Sequence, residues 1–236
     1  MRRSILLLSV LGLFVFCLQT VAGGQECRLV PKPPQPKEVR RVVPPVDKGF
    51  DDWKRVPYIE TAAEPVPTTA EKKVGFILFS RPLIDAIYPE TRPRADERVN
   101  VIRGFGAWEQ YETLNFALYP LADLKGINVQ VGNLSCGKNS IPADQIEIRL
   151  VTYRDNTYPR YSSRGAYRTL PEYLQNVTTS DAVKSQPQRF CVTIKTPKGT
   201  PAGLYQGDLM ISHAGFDQAV ALQVAYEVFP FELKRD

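Results

Sequence analysis

The sequence has very little histidine, since His213 is the single histidine among 236 residues. Zinc sites built on several histidines and serine–histidine–acid triads therefore have almost nothing to build on. His213 stands in a predicted turn, His213-Ala214-Gly215, where a lone histidine is typical of the exposed surface. We expect no catalytic role for it.

The sequence also lacks a phosphate-binding Gly-x-x-x-x-Gly-Lys segment. Residues 103–107 carry two glycines without a following helix, and the prediction there is a bend or bulge between strands. Glu109 and Glu112 would point to opposite faces of a strand, while Asp123 and Asp144 fall in predicted loops. Glycoside hydrolysis needs two carboxylates that face a common gap. We therefore predict no catalytic, cofactor-binding or metal-binding residues.

The sequence also lacks a large excess of charge of one sign, since 30 Lys and Arg residues stand against 25 Asp and Glu residues. Removal of a leader that contains Arg2 and Arg3 leaves 28 − 25, a net charge of +3. This excess is spread along the chain and does not form the concentrated basic face of a nucleic-acid-binding protein. We expect no nucleic acid among its partners.

Cysteine is scarce, and three of the four cysteines lie beyond the predicted leader. They are Cys27, Cys136 and Cys191. An odd number cannot pair completely within one chain. Cys136 and Cys191 are the one pair inside the predicted folded region, and export would permit a disulfide between them. The favoured interpretation is two small buried residues, with the disulfide as the alternative.

The N-terminus has the pattern of a secretory leader. Two arginines precede the nearly unbroken apolar stretch 5–18, and Thr20 and Ala22 stand where a signal peptidase reads small residues. The stretch is shorter than the roughly 20 residues of a membrane-spanning helix, although a retained anchor is the alternative. We predict that residues 1–22 are a signal peptide cut near Ala22. The mature protein is then secreted or periplasmic and is not held in a membrane.

Nine of the twenty prolines lie in residues 23–72. Such a composition favours extended polyproline conformation and predicts a semi-rigid linker. Three aromatic residues interrupt this proline-rich segment and are expected to be able to pack against a domain: Phe50, Trp53 and Tyr58. The remaining residues, 73–236, are predicted to form one domain, which is long enough for a single hydrophobic core.

Hydrophobic residues in this domain alternate with a period of two, which predicts strands. The alternating sets are Val99 and Val101; Leu114, Phe116 and Leu118; Ile127, Val129 and Val131; Ile146, Ile148 and Leu150; Phe190, Val192 and Ile194; Leu209 and Ile211. Residues 74–79 are apolar on both faces, and residues 220–228 form the closing strand. Residues 170–175 and 120–124 are predicted to be short helical pieces. This pattern predicts an all-β, antiparallel two-sheet sandwich of immunoglobulin-like or jelly-roll-like type.

The region 153–173 interleaves five tyrosines with four arginines. Both residue types anchor interfaces because they combine large contact area with polar reach, and tyrosine rings also stack on sugars. The candidate ligand-binding or domain-interface residues are Tyr158, Arg160, Tyr161, Arg164, Tyr167 and Arg168. Three interpretations stay open: a long loop that packs on its own sandwich, an interface with another domain, and direct binding of a glycan.

Several segments between Val74 and Leu233 stand in a recognisable order. They are Glu109-Gln110-Tyr111-Glu112, residues 116–124, 131–134, 141–149 and 196–207, and Phe229-Pro230-Phe231-Glu232-Leu233. In order and spacing they resemble the N-terminal β-sandwich domain of proteins related to glycoside hydrolase family 123. Cys191 is a departure, because the family pattern tends to have tryptophan after Phe190.

In that family the sandwich precedes a (β/α)8-type barrel. The barrel carries an adjacent aspartate–glutamate pair and hydrolyses N-acetylgalactosaminides with help from the acetamido group of the substrate. The resemblance implies that residues 229–233 lead toward such a barrel, and that the catalytic positions of the family lie outside this sequence.

We therefore predict a non-catalytic accessory or scaffold domain of a glycoside hydrolase-like protein, which supports a barrel absent from this chain and is not itself an enzyme. The expected partners are a glycosidase-type barrel or a glycan, and no cofactor is expected. The alternative is a freestanding secreted module that binds carbohydrate or protein through the region 153–173. A structural protein of the cell envelope is a third hypothesis, based on the proline-rich segment.

Overall fold

The computed structural model of the protein describes residues 28–32, 52–159, 165–177 and 179–233, which hold fourteen strands. In chain order the strands are β1 (Arg28–Pro31), β2 (Lys54–Arg55), β3 (Phe76–Phe79), β4 (Val101–Trp108), β5 (Tyr111–Pro120), β6 (Leu124–Val131), β7 (Leu134–Cys136), β8 (Asn139–Ile141), β9 (Ile146–Thr157), β10 (Ala166–Asn176), β11 (Ser180–Ala182), β12 (Gln188–Lys195), β13 (Gly203–Ser212) and β14 (Gln218–Glu232). The described helices are α1 (Thr69–Val74) and two single 3-10 turns, Ala95–Glu97 and Ala143–Gln145.

The strands form two sheets. The first has eight strands: the order β1–β14–β13–β6–β11, with β4 on β14, β7 on β13 and β8 on β7. The second has six strands in the order β2–β10–β9–β12–β5–β3. Pairing is antiparallel except for β4 with β14 and β2 with β10. The prediction of an all-β two-sheet sandwich is confirmed.

One hydrophobic core contains residues from both sheets, because alternate side chains of each strand face the opposite sheet. In the six-stranded sheet, Phe190 lies opposite Phe116 on one side and Leu150 on the other. The Phe116 and Phe190 rings stack at a centroid distance of 5.3 Å. Burial of each such large side chain stabilises the fold by about 1.5–3 kcal/mol. The alternating apolar residues therefore supply most of the stabilisation of the sandwich.

A second, smaller apolar cluster lies on the other face of β3 and β5. It consists of Ile77, Phe79, Ile87, Ala117 and Tyr119. All four residues of β3 are buried, as the apolar pattern of residues 74–79 predicts. Burial on both faces requires cover from outside the sandwich. The connection between β3 and β4 supplies part of this cover, since it contributes Ile87.

A buried arginine fixes this connection to the sheet. Arg189 of β12 is 4% exposed, and its Nε donates to Asn115 Oδ1 at 2.9 Å. The remaining donors reach three backbone carbonyls of the connection, those of Arg81, Pro82 and Asp85, at 2.8–3.1 Å. A buried charge is tolerated only when it is fully hydrogen-bonded. The four hydrogen bonds of the Arg189 guanidinium satisfy this requirement and hold the connection between β3 and β4 against the sheet.

The predicted helix over residues 170–175 is wrong, because this stretch belongs to strand β10. The strand pairs with β9, and the register shifts between Pro171 and Tyr173. Proline lacks an amide proton for a regular ladder, so the irregularity accommodates it within the sheet. The predicted helical turn over residues 120–124 is also absent, since β5 ends at Pro120 and β6 begins at Leu124.

The two glycines of residues 103–107 lie within β4, and the predicted bend or bulge between strands is wrong. A Cβ on Gly104 would lie 2.3 Å from Leu114 Cδ2, and one on Gly106 would lie 2.0 Å from Tyr226 Oη. The glycines therefore permit close packing of β4 against its neighbours.

Parts of the proline-rich segment 23–72 contact the sandwich. Strand β1 pairs with β14, strand β2 pairs with β10, and Tyr58 stacks on Tyr88 at 4.4 Å between centroids. Helix α1 begins with a capping box, in which Thr68 and Glu71 exchange hydrogen bonds. Phe50 lies outside the described residues.

Cys136 and Cys191 are both free thiols, so the alternative of a disulfide between them is not observed. Cys191 is buried, as the favoured interpretation predicts, whereas Cys136 is only half-buried. Within the described part of the chain, no helix is long and apolar enough to cross a membrane. The predicted signal peptide, residues 1–22, and Cys27 lie outside the described residues.

Candidate functional site

The tyrosine–arginine region forms the paired strands β9 and β10 and the connection between them. Tyr158, Tyr167 and Arg168 are described, whereas Arg160, Tyr161 and Arg164 lie outside the described residues. The Arg168 guanidinium stands 3.9 Å above the centre of the Tyr158 ring, a cation–π contact. Arg168 Nε also donates to the carbonyl of Val56 at 3.0 Å. Tyr158 and Arg168 are thus brought together and hold the segment that follows β2.

Other members of the region also make contacts inside the domain. Arg154 donates to Tyr173 Oη at 2.5 Å across the β9–β10 pair. Tyr153 Oη donates to the carbonyl of Ile87 at 3.0 Å, and burial raises the pKa of this phenol above its ordinary value. The phenol of Tyr153 therefore packs on its own sandwich, whereas Tyr158 and Tyr173 are exposed at 37% and 42%. A ligand-binding role for the six candidate residues stays a prediction.

A cleft of about 1020 Å³, lined by both polar and apolar groups, lies beside this region. It is lined by part of β9, by Thr169 of β10, and by residues from 55–92 and 180–188. We call it the β9 cleft. Its lining comes from segments far apart in sequence, which the two-sheet fold and its outer cover bring to one place.

The charges that line the β9 cleft are balanced. Its described cations are Arg55, Arg92, Arg154 and Lys184. Its described carboxylates are Glu64, Glu90, Asp155 and Asp181. Ion pairs join Arg55 to Glu90 at 2.6 Å and Arg92 to Glu64 at 3.0 Å. The described residues that line the cleft therefore carry no net charge, and the two ion pairs fix the positions of their donors and acceptors.

One residue that lines the β9 cleft has a buried hydroxyl, without accessible surface, that makes no hydrogen bond within the described part of the chain. The residue is Thr152, which is 7% exposed. Leaving a buried hydroxyl unsatisfied costs about 1–3 kcal/mol. Among the described side chains, Ser212 is in the same condition at 1% exposure but does not line the cleft.

An exposed apolar surface lies where β4 runs beside the end of β14. It consists of Phe105, Phe229, Phe231 and Leu233, and we call it the aromatic patch. Phe105 meets Phe229 edge to face at 5.9 Å, and Phe229 stacks on Phe231 at 6.2 Å. Large contiguous apolar patches on a protein surface are typical of interaction sites, so the aromatic patch is a candidate interface.

The carboxylates weighed as catalytic candidates are engaged separately. Glu109, in the turn between β4 and β5, accepts from the amide of Lys198, and Asp123 accepts from the amide of Lys184. Asp144 accepts from Gln145. Glu112 is half-buried in β5, where burial raises the pKa of its carboxyl above the ordinary value. Across the described residues, no group of three His, Cys, Asp or Glu side chains is placed to hold a metal ion.

His213 is buried, and the expectation of an exposed surface histidine is wrong. Its Nε2 lies 3.0 Å from the carbonyl of Val74, and its ring stacks on Phe216. The turn itself is present between β13 and β14. The imidazole lies beneath that turn, and its contact with the carbonyl of Val74 joins the turn to the end of α1.

No protein-family model matches this chain, and no curated protein matches it. Among solved structures the chain is similar to a family 123 glycoside hydrolase from Clostridium perfringens, studied for glycolipid glycan hydrolysis, with a TM-score of 0.54 and 12% identity. The match covers 58% of this chain and 24% of that enzyme. At this identity the likeness shows the fold alone.

Two further structures are more distant. One is a Niemann-Pick type C2 protein from the Japanese carpenter ant, with a TM-score of 0.29 and 11% identity over 53% of this chain and 79% of that one. The other is the CooA pilin subunit of enterotoxigenic Escherichia coli, with a TM-score of 0.32 and 12% identity over 65% and 97%. At these scores neither carries an argument about this protein.

Proposed function

We propose that this protein is a non-catalytic accessory sandwich of a glycoside hydrolase-like protein, and that it supports a barrel domain in which hydrolysis takes place. The resemblance of the sequence to family 123 proteins and the fold likeness to the Clostridium enzyme support this proposal. Because the match spans about a quarter of that enzyme, its activity is not transferred to this chain. We further propose that the protein is exported, on the pattern of residues 1–22.

The aromatic patch is the observation that carries the proposal. Its aromatic side chains stand together on one edge of the eight-stranded sheet and remain exposed, with Phe231 at 49%. Residues 229–233 belong to the segment that resembles the passage from sandwich to barrel. A barrel packed here would bury these rings, and buried aromatic clusters supply most of the affinity of an interface.

A cross-linking experiment tests the docking of a barrel. The photoreactive amino acid p-benzoylphenylalanine replaces Phe231 in the full chain, expressed in the organism that encodes it, and mass spectrometry identifies the product. The matched control is Val183, which is comparably exposed at 55% but follows β11 at the opposite edge of the sheet. We expect Phe231, and not Val183, to cross-link to a glycosidase-type barrel, on this polypeptide or another.

An activity measurement tests the absence of catalysis. We expect the purified chain to release no nitrophenol from 4-nitrophenyl N-acetylgalactosaminide above the protein-free rate. Turnover at an enzyme-like rate would contradict the accessory role, and so would a Phe231 probe that captures no barrel. The second of these outcomes favours the alternative of a freestanding binding module.

A further inference from the structure

We propose that the outer edge of β4 is a docking site for an extended segment of another polypeptide, which adds a strand to the eight-stranded sheet and places a lysine or arginine side chain beside Glu112. The site goes beyond the accessory role proposed above and does not require it. It rests on the backbone of β4 and on the space between β4 and β5, whereas the aromatic patch lies on the outer face of the sheet.

The backbone of β4 carries hydrogen-bonding groups that no described strand satisfies. Strand β4 lies at the edge of its sheet, and β14 is its one described partner. The carbonyl of Asn100 accepts from the amide of Gln223 at 3.0 Å. Backbone groups alternate between the two edges of a strand, so the even-numbered residues of β4 bond to β14. The N–H and C=O groups of Val101, Arg103 and Phe105 therefore point away from the sheet.

The other described sheet edges are covered, interrupted or short. Residues 97–99 bond to the outer edge of β3, and β10 is interrupted by a register shift after Pro171. Strands β1, β8 and β11 have three or four residues each, and the part of β5 that β3 leaves open, residues 111–116, is shorter than β4. Folded proteins usually protect long strand edges from pairing. An eight-residue edge left open is therefore a candidate site for strand addition.

A space of about 370 Å³, which we call the β4 notch, lies beside this edge. It is lined on the β4 side by Val99 and residues 101–103, and on the other side by residues 112–115 and Ser80. Side chains alternate between the two faces of a strand, so every second side chain of an added strand would point toward the notch. Ile102 and Leu114 give the notch an apolar part that suits such side chains.

Glu112 supplies the charge that an added strand would meet. Its carboxylate lines the β4 notch, is half-buried, and makes no ion pair or hydrogen bond with the described residues. Arg103 also borders the notch but is exposed and forms no ion pair with Glu112. Burial without a partner is costly for a carboxylate, and a lysine or arginine on the added strand would supply a charge-assisted hydrogen bond.

The test uses the full chain and a designed peptide, acetyl-Thr-Val-Thr-Lys-Thr-Val-Thr-amide, in which lysine shares one face with the valines. NMR titration at up to millimolar concentration measures binding. We expect hydrogen exchange at the amides of Val101, Arg103 and Phe105 to be fast in the free protein and slowed in the complex. The amides of Ile102 and Gly104, which face β14, should be protected in both states.

Two changes test the role of the Glu112 charge. Glu112→Gln should weaken binding of the peptide about tenfold, since it removes a charge-assisted hydrogen bond. Glu147→Gln, at another half-buried strand glutamate of the six-stranded sheet but outside the β4 notch, should leave binding unchanged. A peptide with glutamate in place of lysine should bind the original protein at least tenfold more weakly, which tests the charge without altering the protein.

Four outcomes would overturn the proposal. They are no binding of the lysine peptide at millimolar concentration, equal binding of the two peptides, unchanged binding by the Glu112→Gln variant, and slowed exchange at residues 111–115 in place of the β4 amides. None of these outcomes depends on whether a barrel packs on the aromatic patch, so the proposal and the accessory role fail separately.

Discussion

The hydroxyls of Thr196 and Tyr226 lie 2.7 Å apart, in space that a side chain at position 106 would occupy. Tyr226 is fully buried in β14, and its phenol lies beneath the passing strand β4. A Cβ on Gly106 would lie 2.0 Å from the phenol oxygen and 3.2 Å from Thr196 Oγ1. The hydrogen bond between the two hydroxyls therefore depends on a glycine in the neighbouring strand.

We predict that Gly106→Ala destabilises the protein by about 1–3 kcal/mol, because the added methyl group must displace a buried ring or the strand itself. Urea denaturation of the full chain measures this free energy of unfolding. Gly132→Ala is the matched control, since nothing lies within 4 Å of a Cβ at that position. A change below about 0.5 kcal/mol at both positions would show that β4 shifts freely, contrary to this account.

The sandwich could be predicted from the sequence because the apolar residues that alternate along each strand are those that form the core between the two sheets. Residues such as Phe190, Val192 and Ile194 face the core, and a one-residue slip would expose all three. The misplaced helix over residues 170–175 shows the limit of local pattern. Its pairing with β9 is a long-range interaction that outweighs local preference.

The β9 cleft was beyond prediction for a related reason. Arg55, Asp155 and Gln188 line it together, although they are far apart in sequence. No local pattern indicates which strands become neighbours or which connection covers a sheet. Tyr153 and Arg154 of the tyrosine–arginine region line the cleft, but the described candidates Tyr158, Tyr167 and Arg168 do not, and their binding role stays a prediction.

Arg189 leads to a second prediction. In sequence it reads as a polar residue of a strand, yet it is buried and donates to Asn115 and to carbonyls of the connection between β3 and β4. We predict that Arg189→Met destabilises the protein by about 2–4 kcal/mol, since several buried acceptors lose their donors together. Hydrogen exchange should show that the amides of residues 81–87 lose protection first.

Two further variants sharpen this test. Arg189→Lys should recover only part of the loss, because an ammonium group cannot reproduce the planar fork of donors. Arg103→Met, at an exposed position of β4, should change the free energy of unfolding by less than about 0.5 kcal/mol. Equal stability of the Met and Lys variants at position 189 would indicate that packing of the aliphatic stem, and not the hydrogen bonds, holds the connection.

A pH-dependent stability follows from the burial of His213, which is 7% exposed. Burial lowers the pKa of this imidazole below its ordinary value of 6.5; the carbonyl of Val74 opposes the shift and Lys32 adds to it. Between the lowered pKa and 6.5, the unfolded chain binds more protons than the folded one. We therefore predict that stability is fully present above pH 6.5 and falls as the pH drops below it, with a slope of at most about 1.4 kcal/mol per pH unit.

Urea denaturation between about pH 7.5 and pH 5.5 measures this slope in the range where histidine titrates and most carboxylates do not. His213→Phe provides the comparison, since the phenyl ring of the variant can still pack between Phe76 and Phe216 but binds no proton. The variant should be less stable at pH 7.5, because the carbonyl of Val74 loses its partner, and should have a flatter profile. Because the sequence has one histidine, an equally steep profile in the variant would assign the pH dependence to carboxylates instead.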